Sequence, residues 1–125
     1  MRRILIIDDE DEILSLLNYL FTQLNFEVVI SPGVLSIDEI EKISPNVILL
    51  DNKLGDKLGS DLCLEIKGDP RTSAIPVVML SANDRIEYIA EKSCADGFIS
   101  KPFDIEKLNK TVKKVMVKKV SNNKV

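Results

Sequence analysis

Short apolar runs alternate with segments of helical period along the chain. Ile4 to Ile7, Val28 to Ile30, Val47 to Leu50 and Val77 to Leu80 are continuous and rich in β-branched residues, and a briefer run follows at Phe98 to Ile99. Such runs suit strands buried on both faces of a parallel sheet. Between them the apolar positions change to spacings of three and four. Ile13, Leu14, Leu17, Leu20, Phe21 and Leu24 make one stripe, and Ile37, Ile40 and Ile43 a thinner one opened by Ser36 and Glu39 at capping-box spacing. Leu58, Leu62 and Ile66 predict a third helix closed by Gly68 and Pro70. Ile86, Ile89 and Ala90 predict a short fourth helix, and Ile105, Leu108, Val112, Val115 and Met116 a fifth capped by Asp104.

The alternation is (βα)5. Strands joined by helical crossovers are parallel, so the expected fold is α/β, a doubly wound five-stranded sheet in three layers. Runs one, three and four are the most uniformly apolar and belong in the centre. Glu27 in the second run and the brevity of the fifth suit edges, which is the flavodoxin-like order 2-1-3-4-5. A chain of 125 residues suits one core, here residues 1–120, with residues 121–125 as a flexible tail or linker stub.

Charge and composition narrow the function. Residues 104–125 hold seven lysines against two acids, +5, so with −3 overall the first 103 residues carry −8. An acidic body argues against nucleic-acid binding by this domain. No apolar run approaches the roughly 20 residues of a membrane span, and the apolar stretch behind Arg2 and Arg3 is too short for a signal peptide. The cytoplasm is the expected compartment. With no histidine and two isolated cysteines, a Cys/His zinc site is disfavoured. Cys63 and Cys94 read as reduced, buried, small hydrophobes.

Ligands of open α/β sheets bind beyond the carboxyl ends of the strands. After the first run come Asp8, Asp9, Glu10, Asp11 and Glu12; after the third, Asp51; after the fourth, Ser81; after the fifth, Lys101 and Pro102. The expected rim therefore carries a carboxylate cluster, a hydroxyl and an ammonium. Clustered carboxylates repel unless a cation sits among them, and carboxylates with a carbonyl and water are the ligand set of Mg²⁺. Lys101 and Ser81 would hold a phosphoryl group placed on a carboxylate nucleophile. Asp11 and Glu12 read more simply as acids favoured at a helix N-terminus.

At ILIIDDED, VILLD, PVVMLSA and ADGFISKPF the chain resembles the receiver domain of bacterial two-component response regulators, over about residues 3–118. The resemblance implies that Asp51 accepts a phosphoryl group from a sensor histidine kinase or phosphotransfer protein. It implies that Asp9 binds Mg²⁺ directly, Asp8 acts through water, and the Lys53 carbonyl is a third protein ligand. Ser81 and Lys101 would contact the phosphate, with the Lys101–Pro102 bond cis. Phe98 stands at the aromatic switch position, and phosphorylation would remodel the surface of helix 4, strand 5 and helix 5 to control a partner or output, a second copy of the chain being one candidate. Lys53 and Asn83 stand where the family modulates phosphoryl loss.

Gly55 stands where the family has proline, and is expected to loosen its loop. Three rivals are weaker. A degenerate receiver would serve only as an interaction module, against which stand the intact Asp8, Asp9, Asp51, Ser81 and Lys101. A haloacid-dehalogenase-type phosphatase also uses an aspartate nucleophile, but Glu12 and Ile13 stand where its D-x-D motif continues with Gly and Thr. A flavin-binding flavodoxin needs a phosphate cradle where this chain has five consecutive acids. With no effector segment after residue 120, the chain reads as a single-domain regulator or as the receiver of a longer protein.

Overall fold

Successive side chains of a strand point to opposite faces, so each apolar run feeds two cores at once. The computed structural model describes the backbone of residues 1–122 and the side chains of residues 1–117. Its main sheet has the strands β1 (Arg3–Ile7), β2 (Glu27–Ser31), β3 (Val47–Asp51), β4 (Val77–Ser81) and β5 (Gly97–Ser100). The helices are α1 (Asp11–Gln23), α2 (Ile37–Ile43), α3 (Gly59–Gly68), α4 (Ile86–Lys92) and α5 (Ile105–Asn122). The strands are all parallel, in the order β2-β1-β3-β4-β5, as expected from the sequence. Of the expected tail, Ser121 and Asn122 continue α5, and residues 123–125 lie outside the described residues.

Ile4 and Ile6 join Leu49, Val78 and Leu80 beneath α1 and α5, against Leu14, Leu17, Phe21, Leu108 and Val112. Leu5 and Ile7 face the other way with Ile48, Leu50, Val77 and Met79, covered by Ile37, Ile40, Leu62, Ile66 and Ile86. These are the outer two layers. Ser36 and Glu39 form the expected capping box, each side chain bonded to the other's backbone N–H. The Asp104 carboxylate accepts from the N–H groups of Glu106 and Lys107 at the start of α5.

Three local expectations are corrected. Leu58 is not in α3 but exposed in a two-stranded antiparallel ribbon, Lys53–Leu54 with Lys57–Leu58, and the helix begins at Gly59. Cys63 is buried, its thiol pushed up to about 11 by that burial, whereas Cys94 is exposed. Cys94 follows α4 with φ +64°, where the chain reverses toward β5, so the turn and not its apolar neighbours sets its exposure. Ile105, at the first position of α5, is exposed as well.

Lys67, near the end of α3, turns its ammonium inward. It donates to the carbonyls of Ser73 (3.3 Å) and Ile75 (2.8 Å) and pairs with Asp96 at 2.7 Å, its side chain only 14% exposed. Asp96 in turn accepts from Val77 N at 2.8 Å, so one lysine ties α3 to the starts of β4 and β5. Lys67→Met keeps the stem and removes the donors. It is expected to cost roughly 2–3 kcal/mol in urea unfolding; a loss below about 0.5 kcal/mol, the range of ordinary surface changes, would show that the node is not structural.

Candidate functional site

The sheet register brings the strand ends to one rim. Ile7 is level with Ser31 and Leu50, Asp51 with Leu80, and Ser81 with Ser100. The next residue of each run therefore emerges beside the others. Asp8 is held by its N–H on the Ser31 carbonyl (3.1 Å), and its Oδ1 accepts from Glu10 N at 2.9 Å. Asp51 ends β3 and is buried. Asn52 N bonds to the Leu80 carbonyl at 3.1 Å, and the Asn52 side chain accepts from Ser60 N at 3.0 Å, capping α3. Gly59 packs so tightly there that a Cβ would overlap the Asp51 carbonyl oxygen; only glycine lets α3 start against the strand end.

Lys101 follows β5, its N–H on the Ser81 carbonyl at 2.8 Å, and the Lys101–Pro102 peptide is cis. Its ammonium reaches Asp8 Oδ2 and Glu10 Oε1 at 3.2 Å each and Asp51 Oδ1 at 3.4 Å. Ser81 Oγ accepts from Asn83 N at 3.0 Å. Asp9 is exposed and turns toward the ribbon, where its Oδ2 accepts from Gly55 N at 3.0 Å. Lys53, Asp56, Asn83 and Ser81 line the same cleft as Asp51 and Lys101. Phe98 is elsewhere: the residue is 37% exposed and lines a groove between α4 and α5 with Glu87, Thr111 and Lys114.

Four carboxylates, of Asp8, Asp9, Glu10 and Asp51, place oxygens within 4.8 Å of one another. One ammonium cannot balance them. Burial pushes the Asp51 carboxyl up to about 6, with the Asp8 charge adding to the rise, Lys101 opposing it and Asp9 contributing least. Burial works against the Lys101 charge, yet the Asp51 and Asp8 carboxylates outweigh it and hold the ammonium above its usual range. All four groups are hard oxygen donors, which fits Mg²⁺ in charge and ligand type.

The structure thus brings together Asp8, Asp9, Asp51, Ser81, Lys101, Lys53 and Asn83, and leaves Phe98 on another face. Sequence reasoning placed Glu10 in the carboxylate cluster but missed its pairing with Lys101, which spans 91 positions and leaves no local signature. It also missed the ribbon, whose signal was present: two Lys-Leu pairs flank Gly55-Asp56, a glycine-led two-residue hairpin turn. Gly55, at φ +64°, supplies the left-handed backbone on which that turn is built.

The chain matches the response regulator receiver domain family over residues 4–113. It is 33% identical over 111 residues to the DNA-binding dual master transcriptional regulator RpaA of Synechocystis, covering 86% of this chain and 46% of that protein. It is 26% identical over 126 residues to the sensory transduction protein RegX3 of Mycolicibacterium smegmatis, covering 98% of this chain and 54% of that protein. The chain spans about half the length of these curated relatives. A solved CheY-like receiver domain protein of Methanospirillum hungatei shares its fold, with a TM-score of 0.86, 23% identity and 98% coverage of both chains. Among the described residues no helix is long and apolar enough to cross a membrane. A match that runs from β1 into α5, and so takes in every strand that builds the acidic rim, makes this chain a member of the response regulator receiver domain family, a signalling module of two-component systems.

Proposed function

We propose that the domain is a phosphoacceptor switch in which Asp51 takes a phosphoryl group from a sensor histidine kinase or phosphotransfer protein. The observation that carries this reading is the setting of Asp51: a buried carboxylate at a central strand end, 3.4 Å from the Lys101 ammonium and opening onto a cleft. The Asp51 carboxylate forms the new P–O bond as the P–N bond to the donor imidazole breaks, and the leaving nitrogen keeps the electron pair. Lys101 moves its charge from Asp8 and Glu10 to the phosphoryl oxygens, and the Ser81 hydroxyl donates to one of them. Asp9 and the Lys53 carbonyl would hold Mg²⁺ with Asp51, and Asp8 through water. A bound Mg²⁺ supplies the positive charge that the incoming phosphoryl group needs among four carboxylates. Lys53 and Asn83, at the cleft mouth, would set water access and hence phosphoryl lifetime.

The output surface in this reading is α4, β5 and α5, where Phe98 lies half exposed beside Glu87 and Lys114. Movement of Ser81 toward a phosphate would change the strand on which the ring depends, because β4 and β5 pair through Ser81 and Ser100. A second copy docking through this face is one candidate partner, the acidic body makes nucleic acid an unsuitable one for this domain, and the cytoplasm is the setting the scheme requires.

The direct test is mass spectrometry after treatment with acetyl phosphate and Mg²⁺. The wild type is expected to gain one phosphoryl group and Asp51→Asn none. No adduct on the wild type, as expected for a degenerate receiver, or an equal adduct on the variant, would refute the assignment. Asp9→Ala should reduce Mg²⁺-dependent labelling at least tenfold, and undiminished labelling would remove Asp9 from the metal site.

Stability gives an independent prediction. The folded Asp51 holds its proton up to about pH 6, against an ordinary value of 3.8. Folding is therefore favoured by this group at low pH, and that contribution is lost as pH rises between the two values. In EDTA at pH 7.5, Asp51→Asn should be more stable than wild type by on the order of 1 kcal/mol, discounted for water at the open rim. The gain should shrink toward pH 4.5 and on adding Mg²⁺. A variant that unfolds at equal or lower urea concentration at pH 7.5 contradicts this electrostatic account.

A further inference from the structure

The exposed acid in the cluster is also the one tied to the ribbon. Asp9 belongs to the loop after β1, and Gly55 heads the turn between Lys53–Leu54 and Lys57–Leu58, 46 positions away, yet Gly55 N donates to Asp9 Oδ2 at 3.0 Å. The ribbon is firm behind that contact. Leu54 is buried in the core beneath α2 and α3, and Gly59 N bonds to the Asn52 carbonyl at 2.6 Å where the ribbon closes. The turn itself depends on residue 55. Its φ of +64° is outside what proline can adopt, and proline has no N–H to give.

We propose that the Gly55 N–H is a positioning group for Asp9 as a cation ligand. The proposal rests on the reading that the Asp8, Asp9, Glu10 and Asp51 cluster holds a divalent cation. An exposed aspartate with no partner samples several rotamers and loses that freedom on binding metal. Here one carboxylate oxygen is occupied by a charge-assisted bond from a fixed backbone donor. The other oxygen remains for the cation, in an orientation set before it arrives. The same bond ties down the ribbon that contains Lys53, so two groups of the cleft are fixed relative to each other by one N–H. Gly55 touches neither phosphoryl group nor cation; it acts through Asp9.

The test is calorimetric titration of the EDTA-treated full chain with MgCl₂. Gly55→Pro deletes the donor and should weaken Mg²⁺ binding roughly tenfold, the size of effect that outer ligand supports have. Gly55→Asn keeps the N–H and tolerates positive φ, and should stay within about twofold of wild type. Equal affinity in Gly55→Pro overturns the proposal while leaving the cation site intact. A loss in Gly55→Asn equal to that in Gly55→Pro also overturns it, by placing the effect in glycine's backbone freedom. No binding by the wild type overturns the cation reading and the proposal together. The hydrogen bond has its own readout even if Gly55→Pro does not fold: in metal-free protein the Gly55 amide proton should resonate downfield and shift upfield in Asp9→Ala. An unmoved resonance excludes the bond.

Discussion

The ammonium of Lys101, shared among Asp8, Glu10 and Asp51, is the contact on which the site depends. Three carboxylates compete for one cation in a place where Asp8 and Asp51 are nearly cut off from water. Pairing stabilises the ammonium but leaves the acids under-neutralised; burial first, and the Asp8 charge second, raise the Asp51 carboxyl until it holds its proton to about pH 6. A charge deficit of this kind is useful. In the proposed scheme it would make the cleft receptive to a divalent cation, and the cation would make it receptive to a phosphoryl group, whose charge the bare cluster would repel. Among the described residues the same lysine is the one ammonium or guanidinium within 4 Å of Asp51, so in that scheme loading the site would redistribute its bonds.

The lysine and its partners come from the ends of three separated strands, β1, β3 and β5. A parallel sheet with right-handed crossovers sends every carboxyl end to one rim, and the register keeps Ile7, Leu50, Met79 and Phe98 at matching heights. Rigidity comes from the strands behind: β1, β3 and β4 are buried along nearly their whole length. Asp51 therefore carries the cost of burial without the option of moving away. Gly59 and Asn52 hold the start of α3 against it, and the ribbon reaches the cluster through the Gly55 N–H on Asp9.

The sheet order and most of the rim were legible in the sequence because continuous apolar runs can end only where a polar residue emerges. Asp8, Asp51, Ser81 and Lys101 each stand at such an end. The pairing of Glu10 with Lys101 was not legible, since it joins the loops after β1 and β5, which β3 and β4 separate in the sheet. Leu58 was misplaced into α3 because its spacing to Leu62 fits a helix, while Gly59 and the paired Lys-Leu segments make the ribbon the better solution. Gly55 suggested looseness through its lack of side chain. Its backbone N–H, invisible in any side-chain pattern, turned out to be the part that the structure uses.

The central claim is that Asp51 sits in a charge deficit that a divalent cation relieves. Carbon-detected NMR titration of its side-chain carboxyl, in EDTA and again in excess Mg²⁺, reads this directly. The account predicts a midpoint near pH 6 without metal and a fall below the ordinary aspartate value when Mg²⁺ is present. A carboxyl that titrates at its ordinary value in EDTA and does not move with Mg²⁺ would contradict it.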